Sequence, residues 1–528
     1  MKIMKKIIAS VIATSLVTLI TFGYGVKAKG INNQKVSEKI NVEEVMNNIS
    51  YFSETIGEGF AGSSKEKESA EYIYNYFEGL GYEMELQEVP MANKRGFLSV
   101  NENELDNIMA YRTVGTFGEE YISGDIIDCN LGSVDDIPEE INNNIGIIKK
   151  NKDIVKSIKN AVNLGAKGIA VYNDTEGSFR ISLGDYKCPI PVVLIPKDRG
   201  EALVEEINTS NEVVITGSIG QVVYDKTWNV IATKKAKDVE NPEILHVTAH
   251  YDTVAGSPGA NDNASGAAML MELGKVFSDY ETKKEVRFVA FGAEEIGLLG
   301  SKYYVNNLTN NEKARSLGNI NMDMIGTNYE ECTQLAIETV DGKEHSVTDG
   351  VLNAGKQLGK DNYFVSKYGG SDHVSFHNAG IDEVTFIWVI PNTNDDGTEP
   401  WYHTYEDTID KISPERLQEM GELISTSIFD LVGAYDKNIV VSKINNLESS
   451  EVTNNIVKLT WNTPNNEIGL SEYIVYKDGK KFAKVPSETK EFVVDGLRAN
   501  TIYGFKVTAK YSNGEESKPE SINIRTKK

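Results

Sequence analysis

Seven residues of cation-binding or proton-moving type stand at the ends of apolar runs or in turns beside them. His250 and Asp252 close the run in HVTAHYDT, Glu294 and Glu295 close VRFVAFGAEE, and Asp323 interrupts NINMDMIG. A Gly-bounded turn, GANDNASG, carries Asp262, and His403 follows downstream in WYHTYED. Imidazole nitrogens and carboxylate oxygens ligate zinc-like cations, and a further carboxylate left free can act as a general base. The set points to metal-assisted hydrolysis at a two-cation site.

Singly, each residue also admits a structural role. In extended chain, i and i+2 point the same way, so Asp252 can hold the imidazole proton of His250; His-x-Asp pairs are also common in purely structural settings. Asp262 can bridge two cations through its two oxygens, or cap the helix that follows. Adjacent acids beside an apolar run are costly unless a cation pairs with them. If Glu294 and Glu295 are extended, they point opposite ways, one to a cation and one to the substrate water. Asp323 needs a partner if buried, and His403 alone reads equally as a surface or structural histidine. Their joint order is hard to obtain by accident.

The elements that must position these residues are short apolar strands alternating with helices. Acids and imidazoles at the carboxyl ends of such strands match the place where open α/β sheets put their sites. Residues 40–110 and 219–438 are expected to form one α/β domain, a mixed sheet with helices on both faces. In its lead-in, Ile73, Tyr76, Phe77 and Leu80 share a helical face, and Gly81 ends that helix. A helix rich in Ala, Met and Leu starts near Ser265, and Ser413-Pro414-Glu415 opens another that runs to about Leu431. Residues 111–218 read as an inserted α/β unit without histidine or an acid cluster of ligand spacing. Residues 441–526 are short alternating strands separated by turns, an all-β sandwich with Trp461 in its core.

The chain has 528 residues, more than one core usually holds, and is 40% hydrophobic and 25% charged, as a globular protein should be. A formal net charge of −24 argues against nucleic acid and anionic membrane surfaces. Such acidity is usually only a solvated surface, but an acidic site would favour substrates bearing a free amine. Lys2, Lys5 and Lys6 precede an apolar run, and Val26-Lys27-Ala28 resembles a small-residue cleavage site. Residues 1–28 therefore read as a signal peptide and the protein as secreted, extracellular or associated with the cell surface. A retained anchor is the alternative, although the run is short for a spanning helix. No other run is long enough to cross a membrane. Cys129, Cys188 and Cys332 allow at most one disulfide.

Taken together, His-x-Asp, Gly-x-Asn-Asp-Asn-x-Ser-Gly, Ala-Glu-Glu-x-Gly-Leu-x-Gly-Ser, Asn-x-Asp-Met-Ile-Gly, Ser-Asp-His and Tyr-His-Thr-x-x-Asp resemble one family. It is the co-catalytic di-zinc peptidase family of aminopeptidase Y and secreted bacterial aminopeptidases, whose clan includes glutamate carboxypeptidase. The resemblance covers about residues 40–438. It implies two Zn2+ per chain, bridged by Asp262, with His250 and Asp323 on one and Glu295 and His403 on the other. It further implies Glu294 as general base, Asp252 as the partner of His250, and a cis peptide after Asp262. Tyr402 would donate its hydroxyl to the oxyanion, and Ser371, Asp372 and His373 would line the substrate pocket. The phrases GDIIDCN, NLGAKGIAVYND and CPIPVVLI make 111–218 resemble a protease-associated domain. Leu497 and Tyr503 in GLRANTIYGFKV make 441–526 similar to a fibronectin type III domain, a fold without a function of its own that could touch a surface or polymer.

The expected function is removal of N-terminal residues from peptides with a free N-terminus. The same metal core serves carboxypeptidases, which need an Arg fork for the terminal carboxylate. No Arg lies between Asp323 and His403. A one-zinc glutaminyl cyclase does not need the full ligand set, and a non-catalytic surface-binding protein has no use for Glu294 beside Glu295.

Overall fold

The structure, a computed structural model, describes residues 35–100, 112–116, 122–175, 179, 181–209, 214–360, 363–391 and 399–528. The signal-peptide expectation for residues 1–28 lies outside them. Among the described residues no helix is long and apolar enough to cross a membrane.

Three apolar heptapeptides form the centre of the sheet. Ile244–His250 is flanked in parallel by Glu285–Phe291 on one side and Ser316–Met322 on the other. Beyond Ser316–Met322 lie Glu383–Val389, parallel to it, and Gln334–Thr339, antiparallel to that. Every residue of Ile244–His250 and of Glu383–Val389 is buried. Strands covered on both faces read as continuous apolar runs rather than alternating ones. One face packs under Val42–Ser50, Ser64–Gly79, Gly266–Phe277, Ser346–Gln357 and Pro414–Val432, through a core that includes Ile49, Ile73, Phe77, Leu270, Val351 and Leu423. The other packs under Leu299–Asn307 and His373–Asn378, through Ile231, Val289, Phe291, Tyr304 and Phe376. The fold is the expected mixed α/β sheet with helices on both faces. Ser413 caps the last helix by accepting the Arg416 N–H, with Pro414 at its first position.

Two long strands, Glu83–Val100 and Thr216–Lys234, pair antiparallel from Glu83↔Thr233 to Val100↔Gly217. One end of this ribbon joins the central sheet through Ala290↔Val230, and the other pairs with Ile122–Asp128 through Ile122↔Ile219. Ile122–Asp128 then continues in parallel through Ile145–Lys149, Gly168–Tyr172 and Pro191–Ile195. The sheet is therefore continuous from the centre into the insertion, and residues 218 and 219 lie inside one strand. The core on one side of the insertion, with Ile148, Ile158, Val171 and Leu194, also takes in Phe60 and Ala255 from loops of the main domain.

Residues 445–525 form a three-stranded and a four-stranded antiparallel sheet face to face. Trp461 is buried edge-on to Tyr473 at 5.4 Å, and the Tyr503 hydroxyl accepts the Arg498 N–H at 2.8 Å. The three cysteines are buried and free.

Candidate metal centre

The site lies at the carboxyl edge of the three central strands. His250 is the last residue of its strand, Glu294 and Glu295 follow Phe291 by a short turn, and Asp323 follows Met322 directly. His403 comes from the loop before the last helix, with φ +58°. Asp262 sits in the Ala260–Ser265 turn, and its peptide bond to Asn263 is cis. Gly259, at φ +67°, opens that turn, and a Cβ there would lie 2.6 Å from the Asp262 carbonyl oxygen.

These side chains converge as two groups of three donors that share Asp262. His250 Nε2 is 3.3 Å from Asp262 Oδ1 and 3.5 Å from Asp323 Oδ1. His403 Nε2 is 3.1 Å from both Asp262 Oδ2 and Glu295 Oε2. Each oxygen of Asp262 thus faces a different imidazole. Donors set tetrahedrally at zinc–ligand distances lie about 3.3–3.5 Å apart, so each group has the spacing of ligands around one such cation. Glu295 Oε1 is buried without a hydrogen-bond partner, leaving it free for a cation.

The electrostatics agree. Burial alone would lower the His403 pKa, yet Asp262 and Glu295 push it up to about 10. His250 is raised well above its ordinary value against its burial, by Asp323, Asp252 and Asp262. Burial, then the Asp262 charge, drives Glu295 up to about 8 in spite of His403. Burial likewise raises Glu294 well above the carboxylate range; His250 opposes this, while Asp372, Glu295 and Asp323 add to it. Carboxylates outnumber imidazoles here, and cations bound at the two groups would offset part of that excess of negative charge.

His250 Nδ1 lies 3.1 Å from the Asp252 backbone oxygen and 3.5 Å from its carboxylate, which helps to raise the imidazole. That carboxylate also accepts the Glu294 N–H at 2.9 Å and the Glu295 N–H at 3.3 Å. One local expectation differs from the structure: Glu294 and Glu295 are not extended. Ala293 has φ +56°, and the Glu294 carbonyl accepts the Gly297 and Leu298 N–H groups, so a turn separates the two side chains.

Tyr402 is 41% exposed and stacks on the His403 ring at 3.8 Å, with its hydroxyl raised by burial and by the charges of Asp262, Glu295 and Asp323. Ser371, Asp372 and His373 are fully buried. Ser371 accepts the Asn321 amide and His373 Nε2 meets the Tyr368 carbonyl, so both are committed to internal contacts. Asp372 and His373 both feel the charges of the site: burial drives Asp372 to about 7, opposed by His250 and the Ser301 hydroxyl, and burial lowers His373 to about 4, opposed by the Tyr368 carbonyl and Asp323.

Four supporting residues were given no role in the sequence, although Asn261 and Asp407 stand inside motifs quoted there. Glu66 is buried beneath the Glu294 turn, accepting the Thr227 hydroxyl and the Gly62 N–H. Its setting in SKEKESAE reads as a solvated helix face, so no local signal marks it. Asn261, Glu399 and Asp407 surround the Asp262 turn. Asp407 was visible only as the last letter of Tyr-His-Thr-x-x-Asp.

Fold and site together define an α/β protein whose strand ends carry a donor centre shared by one aspartate. The sequence pattern of Peptidase family M28 matches residues 229–428, and that of the fibronectin type III domain matches 442–526. Aminopeptidase YwaD of Bacillus subtilis (strain 168) is 35% identical over 430 residues, covering 81% of this chain and 92% of that protein. Probable leucine aminopeptidase 2 of Trichophyton verrucosum (strain HKI 0517) is 30% identical over 271 residues, 50% of this chain and 54% of that protein. The solved structure of BSAP, a zinc aminopeptidase from Bacillus subtilis, matches at a TM-score of 0.55 and 35% identity, over 74% of this chain and 95% of that one. The chain belongs to Peptidase family M28 and carries a fibronectin type III domain at its carboxyl end.

Proposed function

We propose that this protein is a secreted, di-zinc aminopeptidase. The observation that carries the reading is the pair of three-donor groups sharing Asp262, with Glu294 beside them and outside both. His250 and Asp323 would hold one zinc, Glu295 and His403 the other, and Asp262 both. When bound, the two ions supply Lewis acidity, polarising the scissile carbonyl and acidifying a water. The names of the relatives, aminopeptidases and a zinc aminopeptidase, support the same reaction.

Glu294 takes the proton of the attacking water and returns it to the leaving amine. Its raised affinity for a proton suits the first of these steps, the abstraction. Asp252 fixes the backbone of the turn, so that the base and the adjacent ligand Glu295 keep their relative positions. Tyr402 keeps its hydroxyl protonated and offers it to the oxyanion. Surplus carboxylates favour a free α-amine over a carboxylate at the pocket.

That same surplus weighs against a carboxypeptidase. Arg416, the arginine that approaches from the last helix, spends its guanidinium on the Thr327 and Tyr329 carbonyls. Residues 111–218 are read as a protease-associated insertion flanking the site, because its core takes in Ala255 from the loop between His250 and Asp262.

The test offers one peptide in free-amine and N-acetylated forms, with a metal count on the mature protein. Cleavage of only the free-amine form, abolished by chelator and restored by zinc, is expected. Cleavage of the acetylated form from its carboxyl end would reverse the direction; two bound ions without cleavage would leave a binding protein or a cyclase.

A further inference from the structure

Asn261, next to the bridging aspartate, is fully buried and uses all of its polar groups. Its side-chain amide donates to Glu399 Oε1 at 2.6 Å, and its side-chain carbonyl accepts the Gly326 N–H at 2.9 Å. Its backbone N–H donates to Asp407 Oδ1 at 2.7 Å, and its backbone carbonyl accepts the Ser265 hydroxyl at 2.7 Å. Asp407 Oδ2 accepts the Asp262 N–H at 3.0 Å, so one carboxylate grips two successive amides of the turn.

These bonds reach three ligand-bearing turns. Glu399 and Asp407 bracket His403 in the sequence. Gly326 ends the Asp323-Met324-Ile325-Gly326 turn, where Ser265 also accepts the Ile325 N–H at 3.1 Å and Asn263 accepts the Met324 N–H at 3.2 Å. The remaining outer ligands, His250 and Glu295, are held from the other side by Asp252.

We propose that Asn261 is a positioning residue that locks the turns of Asp262, Asp323 and His403 into one unit, with Glu399 and Asp407 as its anchors. The inference rests on the two-cation reading above. Each cation takes one outer ligand from the Asp252 side and one from the Asn261 side. Loss of the Asn261 side-chain bonds to Glu399 and Gly326 uncouples the shared aspartate's turn from those of His403 and Asp323, one ligand of each cation, at once, even though the backbone bonds to Asp407 and Ser265 remain. Loss of a single outer ligand, by contrast, impairs one cation first.

Zinc titration of the dialysed full-length protein against a chromophoric chelator tests this, with circular dichroism of the metal-free protein as the check on folding. In Asn261→Ala and Glu399→Ala, both ions should bind about 10–100-fold more weakly, the usual effect of removing a partner behind the ligands. Glu399→Gln keeps an acceptor for the Asn261 amide and should bind both ions nearly as the unaltered protein does. Glu295→Gln, the reference, should lose one ion preferentially. Unchanged binding of both ions in a folded Asn261→Ala, selective loss of one, or Glu399→Gln as weak as Glu399→Ala overturns the proposal. If Asn261→Ala does not fold, the Glu399 pair decides alone. An unaltered protein that binds no zinc overturns the two-cation reading and this inference with it, whereas two ions in the unaltered protein isolate the fault to Asn261.

Discussion

Glu294 and Glu295 are neighbours in sequence with different surroundings, and the turn that begins at Glu294 accounts for the difference. Glu295 meets His403, whereas Glu294 lies outside both donor groups. Glu294→Gln should therefore keep two zinc ions while turnover falls by about 10²–10⁴-fold, the usual worth of a positioned acid–base group. Metal analysis beside single-turnover kinetics checks it, and retained turnover would remove Glu294 as the base. Glu66 offers a second prediction. Burial, then the Asp252 charge, raises its pKa from 4.5 to about 8, against hydrogen bonds from Thr227 and Gly62. Between those two values the folded protein keeps a proton that the unfolded chain has released, so this group lowers stability as pH rises through the window. In Glu66→Gln that contribution is absent. Urea unfolding of the metal-free protein from pH 5 to pH 8 should show a smaller loss of stability on raising pH than in the unaltered chain, and an equal loss would show that Glu66 titrates normally.

At the scale of elements, the turn after Glu285–Phe291 works because backbone and side chains pack closely at its first residue. A Cβ on Gly292 would meet the Thr227 hydroxyl and lie 2.7 Å from the Trp228 carbonyl and 2.8 Å from Glu66 Oε1. Gly292→Ala should cost about 1–3 kcal/mol of stability, as overpacking does, and should depress kcat by shifting the acids beyond it. Gly297→Ala, one residue before the end of the same turn region, meets open space and bears only the strain of φ +110°. Thermal melts and kinetics of the two variants separate crowding from backbone strain; equal kcat losses would refute crowding at Gly292.

Across the whole molecule, the two ends of the central strands have separate duties. Ligands cluster beyond His250, Phe291 and Met322, while the opposite ends lead toward the carboxyl-terminal sandwich. There Tyr280–Glu281 pairs with Tyr435–Asp436, Lys437 meets Asp279 at 3.0 Å, and Lys283 comes close to Gly514. A seven-residue strand spans about 20 Å, so the sandwich is held away from the metal centre. Ending the chain after about residue 440 should leave hydrolysis of small peptides within about twofold, since no described ligand or supporting contact comes from beyond it. A folded but inactive truncation would give the sandwich a part in catalysis. Within the sandwich, Tyr503→Phe should cost about 0.5–1.5 kcal/mol in its unfolding alone by removing the bond from the Arg498 N–H.

Much of this was legible in the sequence because its signals are local. Apolar heptads of strand length, Ser413-Pro414 before a helix, and acids at the ends of apolar runs depend on spacing within a few residues. So does the order in which the ligand types arrive. What the tertiary structure alone decided depends on contacts between distant segments. Asn261 finds Asp407 across 146 positions, and Glu66 finds Thr227 across 161. The same holds for Asp252, whose carboxylate accepts the amides of Glu294 and Glu295, 42 and 43 positions away, as well as standing 3.5 Å from the His250 imidazole. Residue type and order determined which atoms could serve as ligands; packing of remote loops decided which carboxylates remain to hold them.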